Sequence, residues 1–168
     1  MVPDWGSSAS VTTTFTTGSL CSDVFLNFRG EDTRNNFTAF LNLVLKGRGI
    51  DVFVDSKKLW TGVAIGPALH KAIEGSKIFI PVFSQNYARS KWCLMELVQI
   101  AQCYISKGQM VVPIFFHVKP SHVRNQTGSF IKAFQEHEKN SDPKIVESWK
   151  RALKVVGDLK GEFIDQHT

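Results

Sequence analysis

Lys77-Ile-Phe-Ile-Pro-Val-Phe-Ser-Gln-Asn-Tyr-Ala-Arg-Ser-Lys-Trp-Cys-Leu-Met-Glu-Leu97 decides the fold of this chain. Lys77 to Phe83 is a short apolar run and reads as a strand. Ser84 to Arg89 reads as a loop. Ser90 then opens a helix, in which Leu94, Leu97, Val98, Ala101 and Ile105 recur at helical spacing and predict the buried stripe. Trp92 and Glu96 lie one helical turn apart and share a different face. A large aromatic beside a carboxylate, at a helix start that follows a strand, is a candidate ligand corner. The same pair also fits a half-buried ring beside a solvated acid.

The strand-then-helix pattern repeats in both directions. Upstream, Asp23 to Phe28 reads as a first strand and Arg29 to Arg34 as a polar turn, with Asp32 or Thr33 as a helix cap. Phe37, Phe40, Leu41, Val44 and Leu45 give the next helix its apolar face, ended by Gly47 and Gly49. Ile50 to Val54 is a second strand and Asp55 to Gly66 a long charged loop. Pro67 opens a helix that runs to Gly75. Downstream, Met110 to Phe116 is a fourth strand. Pro81 and Pro113 sit inside strands, although proline belongs at edges or bulges. After Pro120 a broken helical region follows. Phe130, Ala133 and Phe134 form one face. Ile145, Trp149, Ala152, Leu153 and Val156 form another, beyond a break at Asp142-Pro143. Glu162 to Ile164 is a last short strand.

Such alternation predicts a parallel sheet covered on both faces. In sheets of this kind ligands bind at the carboxyl ends of the strands, where the strand order reverses. With order 2-1-3-4-5, the Arg29–Arg34 turn, the Asp55–Gly66 loop and the Trp92–Glu96 helix crowd one crevice.

The 168 residues suit one domain, with residues 1–20 a flexible leader and 21–168 the folded part. No apolar run approaches the roughly 20 residues of a membrane span, and no secretory signal is visible. The three cysteines lack metal-ligand spacing, and Cys93 and Cys103 read as small apolar residues on a cytosolic helix. His117, His122 and His137 also lack metal spacing and read as surface residues. No metal site is expected. From Lys119 to Lys160, nine Lys and Arg face five acids, but the aromatic interleaving typical of a base-stacking surface is missing, which ranks nucleic acid as a partner well behind others.

Asp23-Val-Phe-Leu-Asn-Phe-Arg-Gly-Glu-Asp-Thr-Arg34, Leu59-Trp-Thr-Gly-Val-Ala-Ile65, Ser84 to Leu97 and Val112-Pro-Ile-Phe-Phe116 together resemble a plant TIR domain, the Toll/interleukin-1-receptor-type module of plant disease-resistance receptors. Lys119 to Gly128 and Val156 to Gly161 extend the resemblance. It implies a flavodoxin-like three-layer sandwich with about five parallel strands in order 2-1-3-4-5. It implies NAD+ as substrate, with NADP+ as an alternative and no cofactor. The products it implies are nicotinamide and ADP-ribose, some of it cyclic. It implies Glu96 as the catalytic acid, Trp92 as its aromatic partner, and Phe28, Arg29, Gly30, Arg34 and Gly62 as substrate contacts. It further implies self-association with other TIR domains, signalling in plant innate immunity, and a cytoplasmic or nuclear location.

The residue types fit that chemistry. A carboxylate stabilises an oxocarbenium-like ribose, an indole face attracts a cationic ring, and arginine forks suit pyrophosphate. Arg29 and Arg34 also read as partners of Glu31 and Asp32. Cys93 resembles a family cysteine tied to cyclic-nucleotide synthesis, but core packing accounts for it as well. The chain is expected to end before the last family helix. Ala39-Phe40 replaces the small-residue-plus-histidine pair common on the first helix. A non-catalytic assembly module is the competing reading.

Overall fold

The computed structural model describes residues 22–55 and 66–167. The leader 1–20, Cys21, and residues 56–65 with Gly62 lie outside them. The sheet is built from β1 (Val24–Phe28), β2 (Val52–Val54), β3 (Ile78–Phe83), β4 (Met110–Val111), β5 (Ile114–Phe116) and β6 (Glu162–Ile164). All the described pairings are parallel. The order is β2-β1-β3-β5-β6, with β4 paired beside β5 on β3. This is the parallel sheet expected from the alternation, in the flavodoxin-like order that the family resemblance implies, and β1 and β3 are neighbours at the reversal of strand order.

The two prolines explain each other. β3 pairs with Met110 and Val111 through Ile78 and Phe79, and with Ile114 and Phe115 through Val82 and Phe83. The register is the same on both sides of the gap. Ile80-Pro81 therefore stands opposite Val112-Pro113, where neither proline can donate to a ladder. One strand, Met110 to Phe116, is interrupted for two residues and then resumes.

The helices are α1 (Gly30–Thr33), α2 (Phe37–Gly47), α3 (Pro67–Gly75), α4 (Lys91–Lys107), α5 (Pro120–Asn125), α6 (Ile131–Asn140) and α7 (Pro143–Gly157), with 3-10 turns at Tyr87–Arg89 and Gly128–Phe130. Strand alternation sends Phe25, Phe79 and Phe83 to one face, against Ile73, Leu94, Leu97, Ile100, Trp149 and Leu153. Val24, Leu26, Phe28, Ile80 and Val82 go to the other face, against Phe37, Leu41 and Leu45 of α2.

Several local expectations change. The Arg29–Arg34 turn is a short helix, and Asn36 rather than Asp32 or Thr33 caps α2, its side chain accepting from the Phe37 N–H at 2.5 Å. Phe40 and Val44 point outward with Leu43, and Phe40 is 64% exposed. The α4 stripe is rotated: Ile105 is exposed, while Ile100, Cys103 and Glu96 are buried. Both the sheet and α7 cover α4, so half its circumference is enclosed rather than one narrow stripe. On α7, Val146 is buried in place of Ile145 for the same geometric reason.

The edge strand β6 depends on one glycine. A Cβ on Gly161 would stand 2.0 Å from the Pro113 carbonyl oxygen, beside the Glu162 N–H bond to that oxygen at 3.0 Å. Gly161→Ala is expected to cost at least about 1–3 kcal/mol, read as a lower urea midpoint. An unchanged midpoint would show that β6 can shift to make room.

His137 is buried, not on the surface. Its ring packs edge-on against Phe134 and Trp149, and Nε2 meets the Ala88 carbonyl at 2.7 Å, so the nitrogen donates. Burial holds the imidazole below its ordinary value, helped by Lys91 and opposed by the Ala88 carbonyl and Glu136. The unfolded chain therefore binds a proton that the folded chain refuses. This contribution is complete above the ordinary His value of about 6.5 and is lost as pH falls through the lower folded value. His137→Gln is expected to flatten the fall in stability just below pH 6.5, measured by denaturation from pH 7 to 5. Parallel wild-type and variant profiles would refute this role for His137.

Candidate functional site

The site lies at the carboxyl ends of β1 and β2, under the first turn of α4. Ser90 caps α4, its hydroxyl accepting from the Cys93 N–H at 3.2 Å. That cap fixes the phase in which Trp92, Cys93 and Glu96 leave the helix. Trp92 is half-buried at the rim of the enclosed arc. Its indole N–H reaches Asp55 Oδ2 at 2.7 Å and Glu96 Oε2 at 3.1 Å. Asp55 follows directly on β2 and is itself buried.

Glu96 has no exposed surface. Its Oε1 accepts from Asn27 Nδ2 at 2.8 Å. Asn27 is a buried amide on β1, on the α4 side of the sheet, and its Nδ2 also reaches the Cys93 carbonyl at 3.2 Å. Tyr87 OH donates to Asn27 Oδ1 in a short bond. Burial, then the nearby Cys93 and Glu96, push the Tyr87 phenol well above its ordinary value, so it remains a donor. Hydrogen bonds to a charged acceptor are worth about 1.5–3 kcal/mol each. Those from Asn27 and Trp92 act on the charged form of Glu96, and are opposed by the cost of a charge without surface and by Asp55 on the same indole N–H.

The Arg29–Arg34 segment forms the neighbouring wall. Arg29 Nη1 binds Asp32 Oδ1 at 2.8 Å and Nη2 binds Glu31 at 3.3 Å. The pairing that the sequence allowed for Arg29 and Arg34 is thus present for Arg29. Arg34 lies over the Phe28 ring at 5.1 Å from its centroid, a cation–π contact, with Phe28 itself in the core. Gly30 makes room for it, since a Cβ there would stand 2.9 Å from Arg34 Nε. Asp32 Oδ2 accepts from Ser84 Oγ at 2.5 Å and from the Asn86 N–H at 3.0 Å, which ties this segment to the loop after β3. Arg29, Gly30, Glu31, Arg34, Asn35, Arg89 and Ser90 line an open depression at the mouth of α4.

Of the residues singled out by sequence, Trp92 and Glu96 are joined directly. Arg29, Gly30 and Arg34 share a separate depression with Arg89 and Ser90, the cap of α4, and Phe28 lies under Arg34. Gly62 lies outside the described residues. Cys93 is packed in the core, its Sγ donating to the Phe28 carbonyl at 3.2 Å. Sequence reasoning missed Asp55, Asn27, Tyr87 and Arg89. An Asn inside an otherwise apolar strand was the one available signal, because a buried amide needs partners.

A doubly wound sheet with a carboxylate held at its switch point is the class that this geometry defines. The chain belongs to the TIR-domain family, whose model matches residues 22–168. It is 52% identical over 141 residues to TMV resistance protein N of Nicotiana glutinosa, covering 83% of this chain and 12% of that protein. It is 54% identical over 142 residues to disease resistance protein RUN1 of Vitis rotundifolia, covering 83% and 10%. The chain thus spans about a tenth of the length of the curated relatives it matches. Among solved structures it resembles the TIR domains of the activated Roq1 resistosome, which directly recognises the pathogen effector XopQ. The TM-score is 0.76 at 43% identity, over 85% of this chain and 87% of that one. Among the described residues no helix is long and apolar enough to cross a membrane.

Proposed function

We propose that this domain is an NAD+ nucleosidase that signals in plant innate immunity. The observation that carries the reading is the Glu96 carboxylate, held at the switch point by the Trp92 indole and the Asn27 amide. Heterolysis of the bond between ribose C1′ and the pyridinium nitrogen sends the electron pair to nicotinamide, which leaves neutral and needs no proton. The positive charge passes to the ribose, where Glu96 stabilises it. Water then adds at C1′ and releases a proton, giving ADP-ribose; attack by the adenine of the same molecule gives a cyclic product. The indole of Trp92 attracts the cationic ring before cleavage, by about 0.5–2 kcal/mol. Arg29, Arg34 and Arg89 suit the pyrophosphate, or the extra phosphate of NADP+, across the depression beside α4.

Sugar access requires the closed arrangement around Glu96 to open, since that carboxylate has no exposed surface here. Assembly with other TIR domains supplies a natural trigger. Phe40 and Leu43, 64% and 71% exposed on α2, offer a second copy an apolar surface. This reading puts the domain in the cytoplasm or nucleus.

Arg29→Ala is expected to raise KM for NAD+ about tenfold with kcat little changed, measured by nicotinamide release at varied NAD+. An unchanged KM removes Arg29 from the binding surface. The burial of Glu96 also favours a second reading, a non-catalytic module that only recruits other TIR domains. No nicotinamide release at any protein concentration would establish it over the first.

A further inference from the structure

We infer that Asn27, locked by Tyr87, is the positioning residue that holds Glu96 as an ionised acid at the end of β1. The catalytic meaning of this inference rests on the nucleosidase reading; its geometry does not. The alternation of β1 gives a position between Leu26 and Phe28 that faces the apolar interior under α4, where a leucine would pack without cost. Instead it carries an amide with no exposed surface. Every polar atom of that amide is used. Nδ2 reaches Glu96 Oε1 at 2.8 Å and the Cys93 carbonyl at 3.2 Å, and Oδ1 takes the Tyr87 hydroxyl.

The orientation follows from the partners. Turned over, the amide would set its oxygen against the Glu96 carboxylate and the Cys93 carbonyl, three acceptors together. Tyr87 supports this orientation, its hydroxyl lying nearer to Oδ1 than to the Cys93 carbonyl, which it also reaches at 3.2 Å. Its ring is fixed in turn by edge-on packing on Phe83, at 4.9 Å between centroids. The rigid central strand and the 3-10 turn thus aim a single N–H bond at Glu96 from the side opposite Trp92. Among the described residues, the titratable groups around Glu96 include Cys93 on its own helix, Tyr87 itself, and Asp55, which shares the Trp92 indole N–H.

The role is read by titrating the Glu96 side-chain carboxyl with carbon NMR in the full chain, the signal assigned by its loss in Glu96→Gln. Asn27→Leu is expected to move the midpoint upward by about one to two pH units, because a donor to the charged form is gone. Tyr87→Phe keeps the ring but frees the amide to turn, and is expected to move it less, in the same direction. It also decides the matter should Asn27→Leu fail to fold. Alongside, Asn27→Leu should lower kcat for nicotinamide release about 10- to 100-fold at unchanged KM. Midpoints that coincide with wild type would overturn the inference, whatever the activity. Shifted midpoints in a chain that releases no nicotinamide would uphold the positioning and sink the nucleosidase reading alone.

Discussion

Glu96→Gln is expected to lower nicotinamide release at least about 10³-fold while leaving the fold in place. The amide has the size of the acid and none of its charge. Its oxygen still accepts from Asn27 Nδ2, at 2.8 Å a closer partner than the Trp92 indole. Its NH2 group then meets the Trp92 N–H, donor against donor, and the indole keeps Asp55 Oδ2 at 2.7 Å. Loss of the Trp92 hydrogen bond, offset by an easier burial of a neutral group, is expected to leave stability within about 1–2 kcal/mol of wild type. A developing positive charge on ribose loses its one anionic neighbour on α4, and that effect falls on the chemical step. Release at near wild-type rates by a folded Glu96→Gln protein would remove this residue from the reaction.

Trp92→Phe is the second large effect expected. Phenylalanine keeps an aromatic face for the pyridinium ring but deletes the N–H that now joins Asp55 and Glu96. Two buried carboxylates then lose a shared donor, and the Oε2 side of Glu96 is no longer fixed from its own helix. Removing a hydrogen bond to charged groups costs about 1.5–3 kcal/mol, so kcat should fall about 10- to 100-fold. KM should change little, since the ring survives. Steady-state kinetics on the purified variant reads both numbers. A raised KM with intact kcat would make Trp92 a binding surface only.

The fold was legible because its apolar runs are long and their order alternates. β1, β3 and α4 each carry enough buried side chains to be read from spacing alone. Pro81 and Pro113 looked like conflicts with the strand pattern. They are compatible because the register of β3 on its neighbour places them opposite each other, a fact of three-dimensional pairing that no local pattern encodes. The faces of α2 and α4 were harder. Helical periodicity locates an apolar stripe but not how many neighbours enclose it, so Ile105 and Phe40 were expected inside and lie outside.

The site divided in the same way. Trp92 and Glu96 are one turn apart on a helix, and local spacing is sufficient to join them. Arg29 and Arg34 flank a Gly-containing turn and were equally visible. Asp55, Asn27 and Tyr87 reach the same carboxylate, or its indole partner, from different elements. Asn27 and Glu96 are 69 positions apart, a separation at which residue type says nothing about contact. His137 read as a surface residue because its helix is polar overall; its burial against Trp149 comes from α7 folding back over α6.

The account rests on the Glu96 carboxylate reaching a ribose once the closed arrangement opens. Nicotinamide released from NAD+ by the purified chain, quantified over a wide range of protein concentration, tests this most directly. The expected result is release whose rate per domain rises with concentration, because assembly exposes an acid that is enclosed in the single copy. A complete absence of nicotinamide at every concentration, from protein shown to self-associate, would contradict it.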